Sequence, residues 1–247
     1  MGVSKMNKFS FRKSILRLLD RIVINFVRRY RFVLSEAAEA ASMNISSRLK
    51  LRATESTVDY VQAKMLSTRG FNHKRELLEY ALNQSNGKGL FLEFGVWQGD
   101  SINFIADNTK NIVYGFDSFD GLPYDWASPE SKGMFSVGGK LPSVRKNVKL
   151  YPGWFEDSLP EFVKDHDEPI SFIHVDCDLY SSTKTIFKYF GSRIRSGVVI
   201  LFDEYFNYPC WDEHEYKAFQ EFVAEKGVSS EYIGFNRVEG GVAVRIK

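Results

Sequence analysis

From Gly89 onward the chain alternates short apolar runs of strand length with amphipathic runs of helix length, and nothing else in the sequence restricts the fold as much. Strands are predicted over 90–94, 112–116, 148–151, 170–175 and 198–202, with helices over 101–109, 159–164, 182–190 and 214–225. Strands separated by helices are joined by crossovers, so they lie parallel and bury both faces of the sheet. The chain closes with apolar runs over 231–236 and 242–246 about Glu239-Gly240-Gly241, which reads as a hairpin. The predicted architecture is α/β: a doubly wound, mostly parallel seven-stranded sheet.

The first fifty residues follow another pattern. Met1 to Ser35 hold nine Lys/Arg against one Asp, a charge of +8, so the remainder carries 24 − 30 = −6. Over 15–34, apolar residues recur at helical spacing with arginines between them, which predicts a basic amphipathic helix. Its longest uncharged run, 22–27, is too short to span a bilayer. The segment is read as a helix docked on its own domain, with peripheral contact to an anionic membrane surface or packing in a homo-oligomer as alternatives. A linker or short helix follows over 35–47, then helices over 55–66 and 73–84 separated by a turn at 67–70. Two cysteines, Cys177 and Cys210, are too few for a disulfide framework and fit a reducing, cytoplasmic compartment.

Acidic residues gather where strands end. Asp176 and Asp178 close the run 170–175, two apart and so on one face, and Asp203-Glu204 close the run 198–202. In an open parallel sheet those ends share one crevice, and four converging carboxylates call for a cation: the residue types fit an oxygen-ligand site for Mg²⁺ or Mn²⁺. Between the first strand and the next helix stands Glu93-Phe-Gly95-Val-Trp-Gln-Gly99-Asp-Ser101, where glycines let a ligand approach the backbone. The leading acid disfavours phosphate. Asp117 ends the following strand about 20 residues on, where nucleoside-binding sheets hold ribose hydroxyls. Together these features point to an adenosine ligand without phosphate.

Glu93-x-Gly95-x-x-x-Gly99 resembles the first motif of class I S-adenosylmethionine-dependent methyltransferases, a Rossmann-like fold. The strings Gly115-Phe-Asp-Ser-Phe-Asp-Gly-Leu-Pro123, Gly153-Trp-Phe-Glu-Asp-Ser-Leu-Pro160, His174-Val-Asp-Cys-Asp-Leu-Tyr-Ser-Ser-Thr183 and Phe202-Asp-Glu-Tyr205 resemble the macrocin O-methyltransferase (TylF-like) family. The resemblance runs from about Met65 to the C-terminus. It leaves the basic N-terminal segment unexplained, so the chain is read as a basic amphipathic helical extension over 1–50 and a methyltransferase domain over 51–247 that includes N-terminal lid helices. It further implies metal-dependent O-methylation of a small-molecule hydroxyl, commonly on a saccharide. In that correspondence Asp176, Asp203 and Glu204 hold the metal and Asp178 is the general base. Glu204 stands where the family usually has Asp. The cofactor, S-adenosylmethionine, falls to Glu93, Gly95, Gly99, Ser101, Asp117, Ser118 and Trp154.

Three other assignments compete. Asp176-x-Asp178 is also the spacing with which sugar-nucleotide glycosyltransferases hold a metal diphosphate, and phosphatases with an aspartate nucleophile share it. Both need cationic or amide groups aimed at phosphate, against which Glu93 argues. A non-catalytic subunit recruited to membrane is the third. Nucleic acid is excluded as a partner by the acidic body and the sparse basic residues near Arg145-Lys146. His174 shares the face of Asp176 and is read as a supporting residue, Cys177 as core. The aromatics Trp154, Phe155, Tyr205, Phe206, Tyr208 and Trp211 are read as acceptor wall or core.

Overall fold

Apolar runs bounded by Gly and polar residues do form the strands. β2 (Leu90–Phe94), β3 (Val113–Asp117), β5 (Ile170–Val175) and β6 (Val199–Phe202) lie parallel in one sheet, with β5, β2 and β6 buried along their whole length. The computed structural model describes residues 19–20, 22–31, 33–34, 44–126 and 132–247. The chain divides into two units, Met1–Leu51 and Arg52–Lys247. In the first, the described residues of 19–34 are helical. Leu19, Ile22, Val23, Phe26, Tyr30 and Val33 among them are all at least half exposed.

The sheet of the larger unit has eight strands in the order β1-β7-β8-β6-β5-β2-β3-β4. The remaining strands are β1 (Arg69–Phe71), β4 (Val148–Pro152), β7 (Ser230–Asn236) and β8 (Val242–Ile246). β8 is antiparallel to both its neighbours, as the hairpin reading requires. The eighth strand corrects the expected count of seven. Arg69 and Gly70, predicted as part of a turn, instead continue into Phe71 and pair in parallel with Gly234, Phe235 and Asn236. Three residues carry no alternation to read, so only the free edge of β7 makes a strand of them.

Helix boundaries differ from expectation where local chemistry misleads. α1 (Ile45–Lys64) begins ten residues before its predicted start. Asn44 caps it, its side chain accepting the Ser47 N–H at 3.1 Å, inside a segment read as a linker or short helix from its composition. α4 (Phe155–Asp165) was expected from Leu159, next to a proline, yet Pro160 lies within it. α2 (Lys74–Gln84), α3 (Asp100–Asp107), α5 (Tyr180–Phe190) and α6 (Glu215–Lys226) form where the periodicity predicts them, within a few residues.

Strand alternation sorts the core into two layers. Phe91, Phe172, Val199 and Leu201 face one side with Leu77, Leu78 and Ala81 of α2 and Ile102 and Ile105 of α3. Phe94, Ile173, Val175, Ile200 and Phe202 face the other, with Phe162 of α4, Phe187 and Phe190 of α5 and Phe219 and Phe222 of α6. Burying a side chain of this size contributes about 1.5–3 kcal/mol. From β2 the chain proceeds outward through β3 and β4, then returns to the other side of β2 as β5. The strand order therefore reverses between β2 and β5, and a crevice opens beyond their C-terminal ends.

Candidate active site

A cavity of about 550 Å³ lies over this reversal. The parallel ladder delivers acids to it directly: the Asp176 amide donates to Phe94 O at 2.8 Å and the Asp203 amide to Val175 O at 2.9 Å. Val175 pairs with Phe202, so Asp176 and Asp203 emerge side by side at the edge. By alternation both sit on the α2–α3 face, in line with His174 and Leu201 below.

Oxygen atoms of Asp176, Asp178 and Glu204 lie within 4.8 Å of one another. Glu204 Oε2 is buried and has no hydrogen-bond partner. Burial first, and then the neighbouring carboxylates, push Asp176 and Glu204 well above the usual carboxylate range. An all-oxygen donor set with an unpaired buried oxygen fits a hard divalent cation, which would return these groups to their ionised form. Asp178 adopts φ 63°, a left-handed conformation costly for a residue with a Cβ, and such strain persists where the surroundings impose it.

Asp203 is placed otherwise. Lys74, the first residue of α2, donates to Asp203 Oδ2 at 2.6 Å and to Glu204 Oε1 at 3.5 Å. Burial alone would lower the ammonium pKa, but Asp203 and Glu204 raise it, so Lys74 stays charged. Sequence reasoning missed this residue. It precedes Asp203 by 129 positions, and its one local signal is a lysine at a helix start, where the dipole favours acids.

The glycine loop is held from beneath. Gly95 (φ 93°) packs so tightly that a Cβ would fall 1.7 Å from Asp176 O, and Gly99 (φ 86°) supplies the left-handed turn into α3. Asp117 Oδ2 accepts the Val96 and Trp97 amides at 2.7 and 2.8 Å, and Oδ1 accepts the Phe119 amide at 2.7 Å. Trp97 (φ 48°) and Phe119 (φ 58°) are themselves left-handed, so Asp117 fixes two strained turns. Gly95, Asp117, Ser118 and Trp154 line the cavity with Asp176, Asp178, Asp203 and Glu204.

Glu93, Gly99 and Ser101 are not on that wall. Glu93 is fully buried. One oxygen accepts Ser101 Oγ at 3.0 Å, and the other meets His174 Nδ1, its lateral neighbour across β2 and β5, at 3.2 Å. Burial works against the imidazolium, but Glu93, with Asp176 and Asp203 beyond it, raises the His174 pKa to about 9. Glu93 is itself pushed up by burial, against the pull of His174 and Ser101. Glu93, off the wall, does not itself repel phosphate; the wall acids do. Among the described residues Lys74 is the one cationic residue on the cavity wall, and it is already engaged by Asp203, which disfavours a diphosphate ligand.

Aromatic residues divide between wall and core. Trp154, Phe155, Trp97, Phe135, Tyr124 and Trp126 line the cavity. Trp97 meets Phe135 edge-on at 5.9 Å. Tyr205, Phe206 and Trp211 are core, and Tyr208 lies behind Trp126 at 5.3 Å. Cys177 is buried as read, and Cys210 is exposed; both are free thiols.

Comparison with known proteins matches residues 92–205 to a family profile described as a methyltransferase domain. A Streptomyces olivaceus protein named 8-demethyl-8-(2,3-dimethoxy-alpha-L-rhamnosyl)-tetracenomycin-C 4'-O-methyltransferase is 30% identical over 156 residues, 52% of this chain and 58% of that one. The chain thus matches little more than half the length of that relative. Demethyldecarbamoylnovobiocin O-methyltransferase of Streptomyces niveus is 25% identical over 198 residues, covering 70% and 72%. Among solved structures, the calicheamicin methyltransferase CalS11 aligns with TM-score 0.57 at 18% identity over 85% of this chain and 92% of its own. The O-methyltransferase NovP aligns at 0.52 and 19% over 70% and 78%. The fold is that of the Rossmann-like class I methyltransferases.

Proposed function

We propose that this chain, built on a methyltransferase domain, transfers a methyl group from S-adenosylmethionine to a hydroxyl of a saccharide or glycosylated small molecule, with a divalent cation and in the manner of the macrocin-type enzymes. The observation that carries this reading is the convergence of four strand-end carboxylates with a backbone-lined glycine loop in one cavity. The name of the Streptomyces olivaceus relative, which includes a rhamnosyl group, supports a sugar-bearing acceptor, and that of the Streptomyces niveus relative supports O-methylation. S-adenosylmethionine supplies an electrophilic methyl group when bound, and Mg²⁺ or Mn²⁺ supplies Lewis acidity that lowers the pKa of a hydroxyl beside it.

The chain's own residues do the positioning. Gly95, Asp117 and Ser118 shape the wall for the nucleoside, and the half-exposed Trp154 indole offers it a flat apolar face. Glu93 and Ser101 act from behind, holding the first turn of α3 against β2. Asp176, Asp203 and Glu204 would hold the cation. Asp178 would take the hydroxyl proton, because its carboxylate lies in the same 4.8 Å cluster as the groups that would hold the cation. Methyl transfer demands in-line geometry above all, so most of the acceleration comes from holding two substrates together. For the basic segment over 15–34, peripheral contact with an anionic membrane surface is kept beside docking on its own domain, on the strength of its arginines interleaved with apolar residues.

Calorimetry with S-adenosylmethionine, with and without Mg²⁺, tests the cofactor. A mass-shift screen for one added methyl on glycoside acceptors tests the reaction. Wild type should be silenced by EDTA and restored by Mg²⁺ or Mn²⁺. Asp178→Asn should still bind S-adenosylmethionine but lose turnover by about 10²-fold or more. Full activity in EDTA refutes the metal, full activity of Asp178→Asn refutes the base, and absence of S-adenosylmethionine binding refutes the whole reading.

A further inference from the structure

Resting on the acceptor reading above, we infer that the corner of the cavity behind Trp126 is a subsite for uncharged sugar hydroxyls other than the one methylated, with Trp126, His214 and Glu215 as its recognition residues. Among the described residues, five buried side-chain atoms lack a hydrogen-bond partner. One is Glu204 Oε2, which falls to the cation. The other four are Trp126 Nε1, His214 Nδ1 and both carboxyl oxygens of Glu215, and their residues gather around one ring. Tyr208 packs against Trp126 at 5.3 Å and against His214 at 6.0 Å, Trp126 meets His214 edge-on at 6.3 Å, and Glu215 follows His214 in the chain.

Buried polar groups are nearly always paired, and one left unpaired costs its full desolvation. Chance burial would scatter such atoms over the molecule. Here four of them, on three residues from two separate segments, collect at one end of a cavity, where an entering polar ligand would pair them. Glu215 opens α6, a place where the helix dipole favours an acid, but the dipole accounts for an acid in water and not for one with no exposure at all. Trp126 is the point of access. Its indole lines the cavity with Asp178 and Glu204, whereas Tyr208, His214 and Glu215 lie behind it. A turn of this half-buried side chain would bring its N–H and the two residues behind it to one incoming hydroxyl.

The chemistry of the corner fixes the class of ligand. Burial holds the His214 imidazole below its usual pKa, which keeps it neutral. Burial first, and then Asp178, Asp176 and Asp203, push Glu215 well above the usual carboxylate range, with the Cys177 backbone pulling the other way. An indole N–H, a neutral imidazole and a carboxylic acid supply donors and acceptors without charge, beside flat aromatic faces. That set suits the hydroxyls and C–H face of a pyranose ring and has no charge with which to hold a phosphate. Because the corner adjoins Asp178 and Glu204, it would orient the ring that carries the reacting oxygen.

The test is ligand-observed NMR of four methyl pyranosides, those of glucose, galactose, mannose and rhamnose, each alone with the full-length protein saturated with S-adenosylhomocysteine and Mg²⁺. Wild type should bind at least one of them. Trp126→Phe keeps an aromatic ring and removes the N–H, and Glu215→Met keeps the length and removes the carboxyl. Each should bind that glycoside about fivefold more weakly or worse, with S-adenosylhomocysteine affinity unchanged by calorimetry. Since the removed carboxyl has no partner in the free protein, Glu215→Met should melt no more than about 2 °C below wild type. A larger fall makes Glu215 a structural acid and overturns the inference, as does wild-type glycoside affinity in either variant. Wild type that binds S-adenosylhomocysteine but none of the glycosides overturns it and leaves the methyl-donor reading intact. Wild type that binds neither overturns that reading as well.

Discussion

Replacing Asp117 by Asn separates two roles that one carboxylate could play. If Asp117 served a ligand alone, the change would leave the unliganded protein as stable as before. In the structure both its oxygens are engaged by backbone amides, those of Val96, Trp97 and Phe119. Hydrogen bonds to an ionised acceptor contribute about 1.5–3 kcal/mol each. Asn keeps one oxygen and turns an NH₂ toward the other amides, so at least one bond is lost and a donor faces a donor. Because Trp97 and Phe119 hold left-handed backbone, release of that strain offsets part of the loss. A net cost of about 2–4 kcal/mol follows, or a fall in Tm of roughly 4–16 °C at about 2–4 °C per kcal/mol for a domain of 150–250 residues. Thermal and urea unfolding without ligand measure it, with S-adenosylmethionine calorimetry on the same samples. A Tm within about 2 °C of wild type would refute the claim that Asp117 holds the loop.

Gly95→Ala should destabilise the protein by about 2 kcal/mol or more and abolish cofactor binding, because the new Cβ meets Asp176 O and the backbone has φ 93°; chemical denaturation reads the first and calorimetry the second. His174→Phe should cost about 3 kcal/mol by leaving Glu93 buried with only Ser101 for company, an effect absent from the double variant with Glu93→Leu. Deleting residues 1–35 should abolish co-sedimentation with anionic vesicles, and binding of the intact chain should weaken as salt rises from about 0.05 to 0.5 M. Failure of the intact chain to sediment at low salt would remove the membrane role.

The parallel sheet and the acid cluster were legible in the sequence because both depend on short-range pattern. Alternation from Phe172 to Asp176 fixes which face each side chain takes, whereas Asp178, past the end of β5 and left-handed, joins the cluster through its own turn. What escaped depends on distance along the chain. Lys74 reaches Asp203 only because α2 happens to cover that face of β6. Glu93 reads as a cavity acid until β5 comes alongside and sets His174 against it. Asp117 shows a third kind of miss: its place at a strand end was clear, but its amide partners lie in two loops whose course no periodicity encodes. β1 owes its existence wholly to the edge it joins.

The column formed by Glu93, His174, Leu201, Asp176 and Asp203 on one face of the sheet also limits how this protein can change length. Insertion of a single residue within β5 would turn His174 and Asp176 toward Phe94 and Phe190 on the opposite layer, and bring Ile173 and Val175 into their places. Glu93 would lose its imidazole and the cavity one of its acids in the same event, without any residue having been substituted. Loops such as the one between β3 and β4 carry no such constraint. Length variation among homologous chains should therefore accumulate there and be excluded from the seven residues between Ile170 and Asp176, and a scan of single-residue insertions scored for soluble yield would map that boundary directly.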